Sequence, residues 1–322
     1  MRIAVVGRAQ VMGLGTMTRD FCRNMPVLRT LVVDHDHGPL DLSGLPNPTV
    51  VRAAELTESS FLAAIEGADV VVGFESLYHD DAVGWCRRAG IRTVVFPFWE
   101  CSPRSIEQAD VLLAISDVDK RTYPRAVRVE WPIDRSGLPR AAPTFPPKVF
   151  VHNVGHAGEY NSWRNGTQEV LAAAAALRDT GAFLSVNSQV PIPPEWVPKD
   201  APVALLGEAP TVADLFVGAD VMVFPVRMEG HYLPINEAGA CGIPTIVPAL
   251  PEWAGWPESM RVPMHGPEIV QRTRQAPYWR ADVPALGELM RSLALGLVEP
   301  RLPPSPPTWD AFRMQFPYAI HA

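Results

Sequence analysis

With 322 residues and 47% apolar side chains, the chain suits two packed domains of ordinary size and is too apolar for global disorder. A formal net charge of −7 argues against a protein that coats nucleic acid or an anionic membrane, although a local basic patch stays open. Four scattered cysteines (Cys22, Cys86, Cys101, Cys241) form no C-x-x-C pair. Met1-Arg2-Ile3 leads straight into a strand, and no apolar run reaches the roughly 18 to 20 residues of a spanning helix. The expectation is a cytoplasmic protein with reduced thiols and neither signal peptide nor transmembrane segment.

Ile3 to Val6 is a continuous apolar strand. A glycine-containing loop from Arg8 to Gly15 and a helix from Thr16 to Asn24 follow it. Leu31 to Val33 is the second strand, then a polar, proline-rich stretch runs from Asp34 to Pro48 before Val50-Val51. Glu58 to Glu66 reads as a helix, Ala68 to Gly73 as a buried strand, and Asp80 to Ala89 as a helix ended by Gly90. Strands at Thr93 to Phe96, Ala109 to Ile115 and Val127 to Glu130, with a helix opening at Ser116, complete an alternating pattern. Strand–helix alternation at this spacing predicts a parallel, doubly wound sheet.

Pro139 to Pro147 is the linker candidate. The pattern then restarts with a strand at Val149 to Val151, an Ala-rich helix at Gly166 to Arg178 and a strand at Phe183 to Val186. A proline-rich loop over 190–202, a strand at Val203 to Leu206 and a helix at Val212 to Val217 come next. Val221 to Phe224 reads as a buried strand and Pro225 to Leu233 as a loop. Pro234 to Cys241 reads as a helix that Gly242 and Pro244 end, and Ile243 to Val247 as another strand. Trp309 to Phe316 closes the chain as a helix. The domains are placed at 1–143 and 144–298, with 299–322 crossing back onto the first.

Two carboxylates bracket the Pro225–Leu233 loop. Glu229 stands just before Gly230, and Glu237 lies about one turn into the helix, whose free N–H groups and positive dipole end favour an anion. This Glu-x7-Glu sits within F-P-x-x-x-E-G-x-x-L-P-x-x-E-A-x-A-x-G-x-P, and with Leu233, Pro234, Ala238, Gly242 and Pro244 in register it resembles the signature of retaining GT-B glycosyltransferases of the family 4 type (glycosyl transferases group 1). The resemblance implies an α/β GT-B fold of two Rossmann-like doubly wound domains facing an interdomain cleft. The second domain would hold a nucleotide diphosphate sugar and the first the acceptor. Glu229 would contact sugar hydroxyls, Glu237 the ribose, and the backbone N–H groups of Gly230, His231, Tyr232 and Leu233 the diphosphate.

The stretch Gly155 to Thr167 matches the family's Gly-Arg, variable loop and Lys-Gly, whose two cations neutralise the departing diphosphate. Here it departs from the family, with His156 at the Arg position and Asn165 at the Lys position. Arg164, next to Asn165, is the candidate for the missing charge, with a helix-capping surface arginine as the alternative. Ser188 and Gly207, at strand ends of the second domain, are candidates for the nucleotide base. Gly13 and Gly15 in Gly13-Leu14-Gly15-Thr16 match the family's glycine loop near the donor phosphate. As Gly-x-Gly they also hint at a dinucleotide fold with Asp34 about 20 residues on, but Arg8 to Met12 separate them from the strand and Thr18 stands where the third glycine belongs.

On the acceptor side, Glu100 is read as a hydrogen-bonding or catalytic acid, Trp99 as an apolar or sugar-stacking wall, and His79 as a further acceptor residue. Each has a purely structural alternative. Asp34-His35-Asp36-His37 mimics a metal cluster or the Asp-x-Asp of metal-dependent transferases, but consecutive loop residues do not converge on one cation. No metal and no cofactor beyond the nucleotide-sugar co-substrate is expected. Two further readings stay open: a phage-type transferase acting on a modified DNA base, using Arg87, Arg88, Arg92 and Arg104, and a non-catalytic nucleotide-sugar binder.

Overall fold

The computed structural model describes residues 1–10, 13–36, 38–154, 163–228, 233–271 and 275–321. Contacts gather them into two units, Met1–Pro132 with Pro307–Ala322, and Ile133–Val270 with Gln275–Pro306.

The first unit holds β1 (Ile3–Gly7), α1 (Gly13–Asn24), β2 (Val27–Asp34), β3 (Pro48–Arg52), α2 (Glu58–Ala64), β4 (Val70–Phe74), α3 (Ala82–Arg88), β5 (Arg92–Phe96), β6 (Val111–Ala114), α4 (Asp117–Thr122) and β7 (Val127–Arg128). The strands form one sheet in the order β3-β2-β1-β4-β5-β6-β7. Every pairing is parallel. The β1 and β4 runs are buried along their whole length, as expected of strands covered by helices on both faces. Thr57 and Ser60 form a capping box at α2, and the Ser116 hydroxyl accepts from the Asp119 N–H to start α4.

The second unit repeats the winding with β8 (Val149–Asn153), α5 (Thr167–Ala173), β9 (Phe183–Asn187), β10 (Val203–Gly207), β11 (Val221–Val223), α6 (Leu233–Cys241), β12 (Thr245–Pro248) and β13 (Arg261–Val262). Its sheet runs β10-β9-β8-β11-β12-β13, again parallel throughout. Successive residues serve opposite faces. Phe150, Val221 and Val223 enter the core with Leu171, Leu184 and Met290. Val151, Met222 and Phe224 enter the other with Ile235, Ala238 and Ile243.

Several boundaries differ from the sequence reading. Gly13 to Gly15 are the first residues of α1, not its preceding loop. The helix expected over Val212 to Val217 is a single 3-10 turn, Ala213–Leu215, and the one expected over Gly166 to Arg178 is α5 continued by a 3-10 turn at Ala174–Leu177. A two-stranded sheet of β14 (Met264–Gln271) and β15 (Gln275–Ala281) and helix α7 (Val283–Ala294) follow β13 in a stretch where the sequence reading placed no element. The Pro139–Pro147 stretch is fastened within the second unit: the Ala141 N–H donates to the Cys241 carbonyl over 2.8 Å, and the Asp220 carboxylate accepts from the N–H groups of Thr144 and Lys148.

The last helix, α8 (Trp309–Ala319), packs in the first unit. Its Phe316 and Phe312 rings meet Phe21 at 5.5 Å and 6.3 Å, and Trp309 meets Trp131 at 5.5 Å. Buried aromatic pairs of this kind add about 0.5–1.5 kcal/mol each beyond the area they remove from water. All four cysteines are free. Among the described residues, no helix is long and apolar enough to cross a membrane.

Candidate functional site

In each sheet the strand order reverses once, between β1 and β4 and between β8 and β11. The crevice outside the carboxyl ends of strands at such a reversal is where open α/β sheets bind ligands. In the second unit, the residues after β8 and β11 border that crevice.

His152, the fourth residue of β8, is fully buried. One ring nitrogen lies 2.8 Å from the Val223 carbonyl and the other 2.9 Å from the Thr167 hydroxyl. The carbonyl only accepts, so Nδ1 carries the proton and Nε2 accepts from Thr167. Burial pushes this imidazole down to about 4, so it is a neutral pin between β8, β11 and the start of α5.

Gly166 precedes α5 with φ at +70°. A Cβ there would fall 2.6 Å from the Pro225 carbonyl oxygen in the loop after β11. Glycine is needed on both counts, because the left-handed backbone disfavours a side chain and the neighbouring loop fills the space. The Arg227 N–H donates to the Arg164 carbonyl over 2.9 Å, so the two loops are joined again one residue pair further out.

Arg227 is a residue of the candidate site that the sequence reading missed. It is 4% exposed and ion-paired with Glu169, itself 8% exposed on α5. The guanidinium lies 5.4 Å from the Trp163 ring, and the Trp279 N–H of β15 donates to its carbonyl over 2.7 Å. The available signal was a lone arginine in an otherwise apolar run and a lone glutamate in an Ala-rich helix. Their 58-residue separation gave no spacing to read.

The predicted donor-side residues divide as follows. Arg164 is half-buried at the foot of α5. Asn165 is 7% exposed, and its amide donates to the Val154 carbonyl over 2.8 Å, so this group closes the loop after β8 on itself. Ser188 and Gly207 come together: the Ser188 N–H donates to the Gly207 carbonyl over 2.8 Å. With Val190, Leu205 and Glu208 they line a cavity of about 400 Å³. Leu233 and Glu237 are buried on α6, where the Glu237 charge helps burial raise the Cys241 thiol to about 11. His156, Glu229, Gly230, His231 and Tyr232 lie outside the described residues.

In the first unit, Gly13 and Gly15 open α1, and a Cβ at Gly15 would sit 1.9 Å from the Gln10 carbonyl, a close approach that only glycine permits. His79 is turned onto α3: its ring lies 4.2 Å from that of Trp85 and accepts from the Asp81 N–H. Trp99 is 4% exposed, which buries most of the wall expected of it, and its N–H donates to Asp119 over 2.9 Å. Glu100, the next residue, is half-buried, and its charge adds to the burial that raises Asp119 to about 6. Asp34 accepts from Gln10 and from the Asp36 N–H, a local turn at the start of the Asp34–His37 stretch, whose His37 lies outside the described residues. Among the described residues no group of three or more potential ligands is placed to hold a metal ion. Of the arginines considered for a basic face, Arg87 donates to the Gln108 carbonyl and Arg88 pairs with Glu58 at 2.7 Å.

Comparison with known proteins agrees with this geometry. Residues 151–270 match the model of the glycosyl transferases group 1 family. Sucrose-phosphate synthase from Thermosynechococcus elongatus superposes with a TM-score of 0.63 at 15% identity, covering 100% of this chain and 98% of that one. The fold is GT-B. A glycosyltransferase from Rickettsia africae gives 0.63 at 11% identity over 99% and 93% of the two chains. HepE from Anabaena, solved in complex with UDP-glucose, gives 0.58 at 13% identity over 77% and 80%. No curated protein sequence matches the chain significantly.

Proposed function

We propose that this protein is a glycosyltransferase that moves a sugar from a nucleotide diphosphate sugar to an acceptor hydroxyl, with retention and without a metal. The observation that carries the reading is the family match over 151–270, which contains Glu229-x7-Glu237 in the segment after β11 at the reversal of the second sheet. The GT-B fold it shares with a UDP-glucose-binding neighbour supports the donor class.

In this reading Arg164 and the amides of Gly230 to Leu233 bear the charge that develops on the departing diphosphate, the main electrostatic demand of the step. Glu229 holds the sugar hydroxyls, Glu237 the ribose, and the cavity at Ser188 and Gly207 the base. The sugar–phosphate C–O bond breaks, and the new C–O bond forms on the same face. The acceptor proton passes to a leaving phosphate oxygen, so no separate base is required. In the same reading Glu100 hydrogen-bonds an acceptor hydroxyl.

A thermal-shift screen over UDP-, GDP-, ADP- and dTDP-sugars tests the donor class, because a ligand bound only to the folded state raises the melting temperature. No shift with any of them sinks the reading. The anomeric configuration of the product, read by NMR, tests retention, and transfer that survives a chelator tests metal independence. One observation favours the second reading, a nucleotide-sugar binder without turnover: Asn165 stands at the second cation's place and its amide is spent on Val154. Release of free sugar from donor alone, absent in a pure binder, separates the two.

A further inference from the structure

The first sheet also reverses, between β1 and β4, and the residues following those strands form a polar cluster not used so far. Arg8 follows β1, and Glu75 and Tyr78 follow β4. The Arg8 guanidinium lies 3.8 Å from the Glu75 carboxylate and 5.6 Å from the centre of the Tyr78 ring.

The backbone here is held in a costly shape. Six described non-glycine residues have left-handed φ: Asp36, Asn47, Asp179, Asp200, Glu75 and Tyr78. The first four are Asp or Asn, which tolerate that region, whereas Glu and Tyr do not. Both exceptions fall on this one loop, at +69° and +62°. Glu75 is fixed from either side: its N–H donates to the Phe96 carbonyl over 2.9 Å, and its own carbonyl accepts from the Ser102 hydroxyl over 2.6 Å. These bonds use the backbone alone. The shape of the loop is thus fixed at the Glu75 backbone, while its carboxylate, beside Arg8 and the Cys101 thiol, is kept at a low-dielectric position in spite of strain and desolvation. Strain of this kind gathers at working sites.

The pair itself is loose. A separation of 3.8 Å is too long for a hydrogen bond, and the side chains keep 17% and 15% of their surface open. The buried Nε of Arg8 has no partner among the described residues. Burial pushes the Glu75 carboxyl up, while Arg8 and the Cys101 thiol oppose that shift.

From this geometry we infer that Arg8, Glu75 and Tyr78 form a binding site for an uncharged polyhydroxy group, such as a glycoside or polyol, with one ligand hydroxyl bridging Arg8 and Glu75. A hydroxyl is the group that fits, since one oxygen donates to the carboxylate and accepts from the guanidinium. A phosphate or carboxylate would gain Arg8 but meet the like charge of Glu75, and an ammonium would meet the reverse. The charges of the pair cancel, and the Tyr78 ring, packed between Arg8 and His35, holds the guanidinium in place. The inference rests on the transferase reading, with this ligand as its acceptor.

The test is calorimetric titration of the full chain with methyl glycosides and inositol, and with the matching hexose 6-phosphates and uronic acids. At least one neutral member is expected to bind, and more tightly than its anionic counterpart. Glu75→Gln and Glu75→Asn are each expected to weaken it by about tenfold or more, the loss of a charge-assisted hydrogen bond. Gln keeps the shape and backbone demands of the native Glu, and Asn suits the left-handed backbone better than either, so both variants are expected to fold, and circular dichroism reports on both. Unchanged affinity in a folded variant, tighter binding of the anionic members, or no binding by any neutral member overturns the inference. Its failure is distinct from failure of the transferase reading, which the nucleotide-sugar screen on the unmodified protein decides separately.

Discussion

In the second unit, the Arg227 N–H donates to the Arg164 carbonyl across 2.9 Å, joining the loop that precedes α5 to the loop that follows β11. The joint is made by the Arg164 backbone, and it sits between two others, Gly166 against Pro225 and Glu169 against Arg227. The stretch from Pro225 to Met228 thus leaves β11 with its course set by α5.

Gly166→Ala tests the innermost joint. Alanine meets the left-handed backbone penalty of about 1–2 kcal/mol and a Cβ aimed 2.6 Å from a backbone oxygen. The expected cost is at least about 2 kcal/mol, a fall of roughly 4–8 °C in the melting temperature for a unit of this size. A melting temperature within a degree of the unmodified protein would show that the loop after β11 is not held there.

The outermost joint is ionic. Removing one partner of a buried ion pair leaves the other uncompensated and costs about 3–5 kcal/mol, whereas replacing both by apolar side chains of similar volume is often near neutral. Arg227→Met and Glu169→Leu alone are therefore expected to destabilise strongly, and the double variant to recover most of the loss. Urea unfolding of the four proteins measures the coupling. Additive single losses would mean that Arg227 and Glu169 are not an energetic pair.

The sequence revealed the scaffold because its strands are continuous apolar runs: Ile3 to Val6, Val70 to Val72 and Val221 to Phe224 are buried on both faces and read directly. The β14–β15 pair did not read, since Met264–Gln271 carries Gly266, Pro267 and Glu268 and much of it is exposed, which leaves no apolar alternation. Helix α7 announced itself with Asp282 as N-cap and Pro284 in its first turn, and those signals went unused. On the site, Gly166 was legible as part of a motif. Arg227 and Glu75 were not, because one is defined by a partner 58 residues away and the other by a backbone angle.

Arg164→Ala is expected to reduce nucleoside diphosphate affinity by about tenfold or more, the loss of a charge-assisted contact. Its melting temperature should fall far less than that of Glu169→Leu, because the bond from the Arg227 N–H runs to the Arg164 carbonyl, which alanine keeps. Unchanged affinity by calorimetry would return Arg164 to a capping role. Glu229→Ala should cut turnover by orders of magnitude with native stability, and near-normal turnover would remove it from the site.

Two buried groups of opposite sign make the units respond differently to acid. Asp119 in the first unit is raised to about 6 by burial above all, against an ordinary value near 4. The folded state binds its proton more readily than the unfolded state, so stability falls as pH rises from about 4 to about 6. His152 in the second unit is lowered to about 4 by burial, against about 6.5. There the unfolded state binds the proton first, so stability falls as pH drops from about 6.5 to about 4. Between pH 7 and pH 5, Asp119 should stabilise the first unit by about 1–2 kcal/mol and His152 should weaken the second by about 2 kcal/mol. Scanning calorimetry at the two pH values, on the unmodified protein and on Asp119→Asn and His152→Gln, isolates each contribution as a difference. Asp119→Asn should remove the acid gain and His152→Gln the acid loss. Parallel pH profiles for either variant and the parent would show that the group does not titrate in this window.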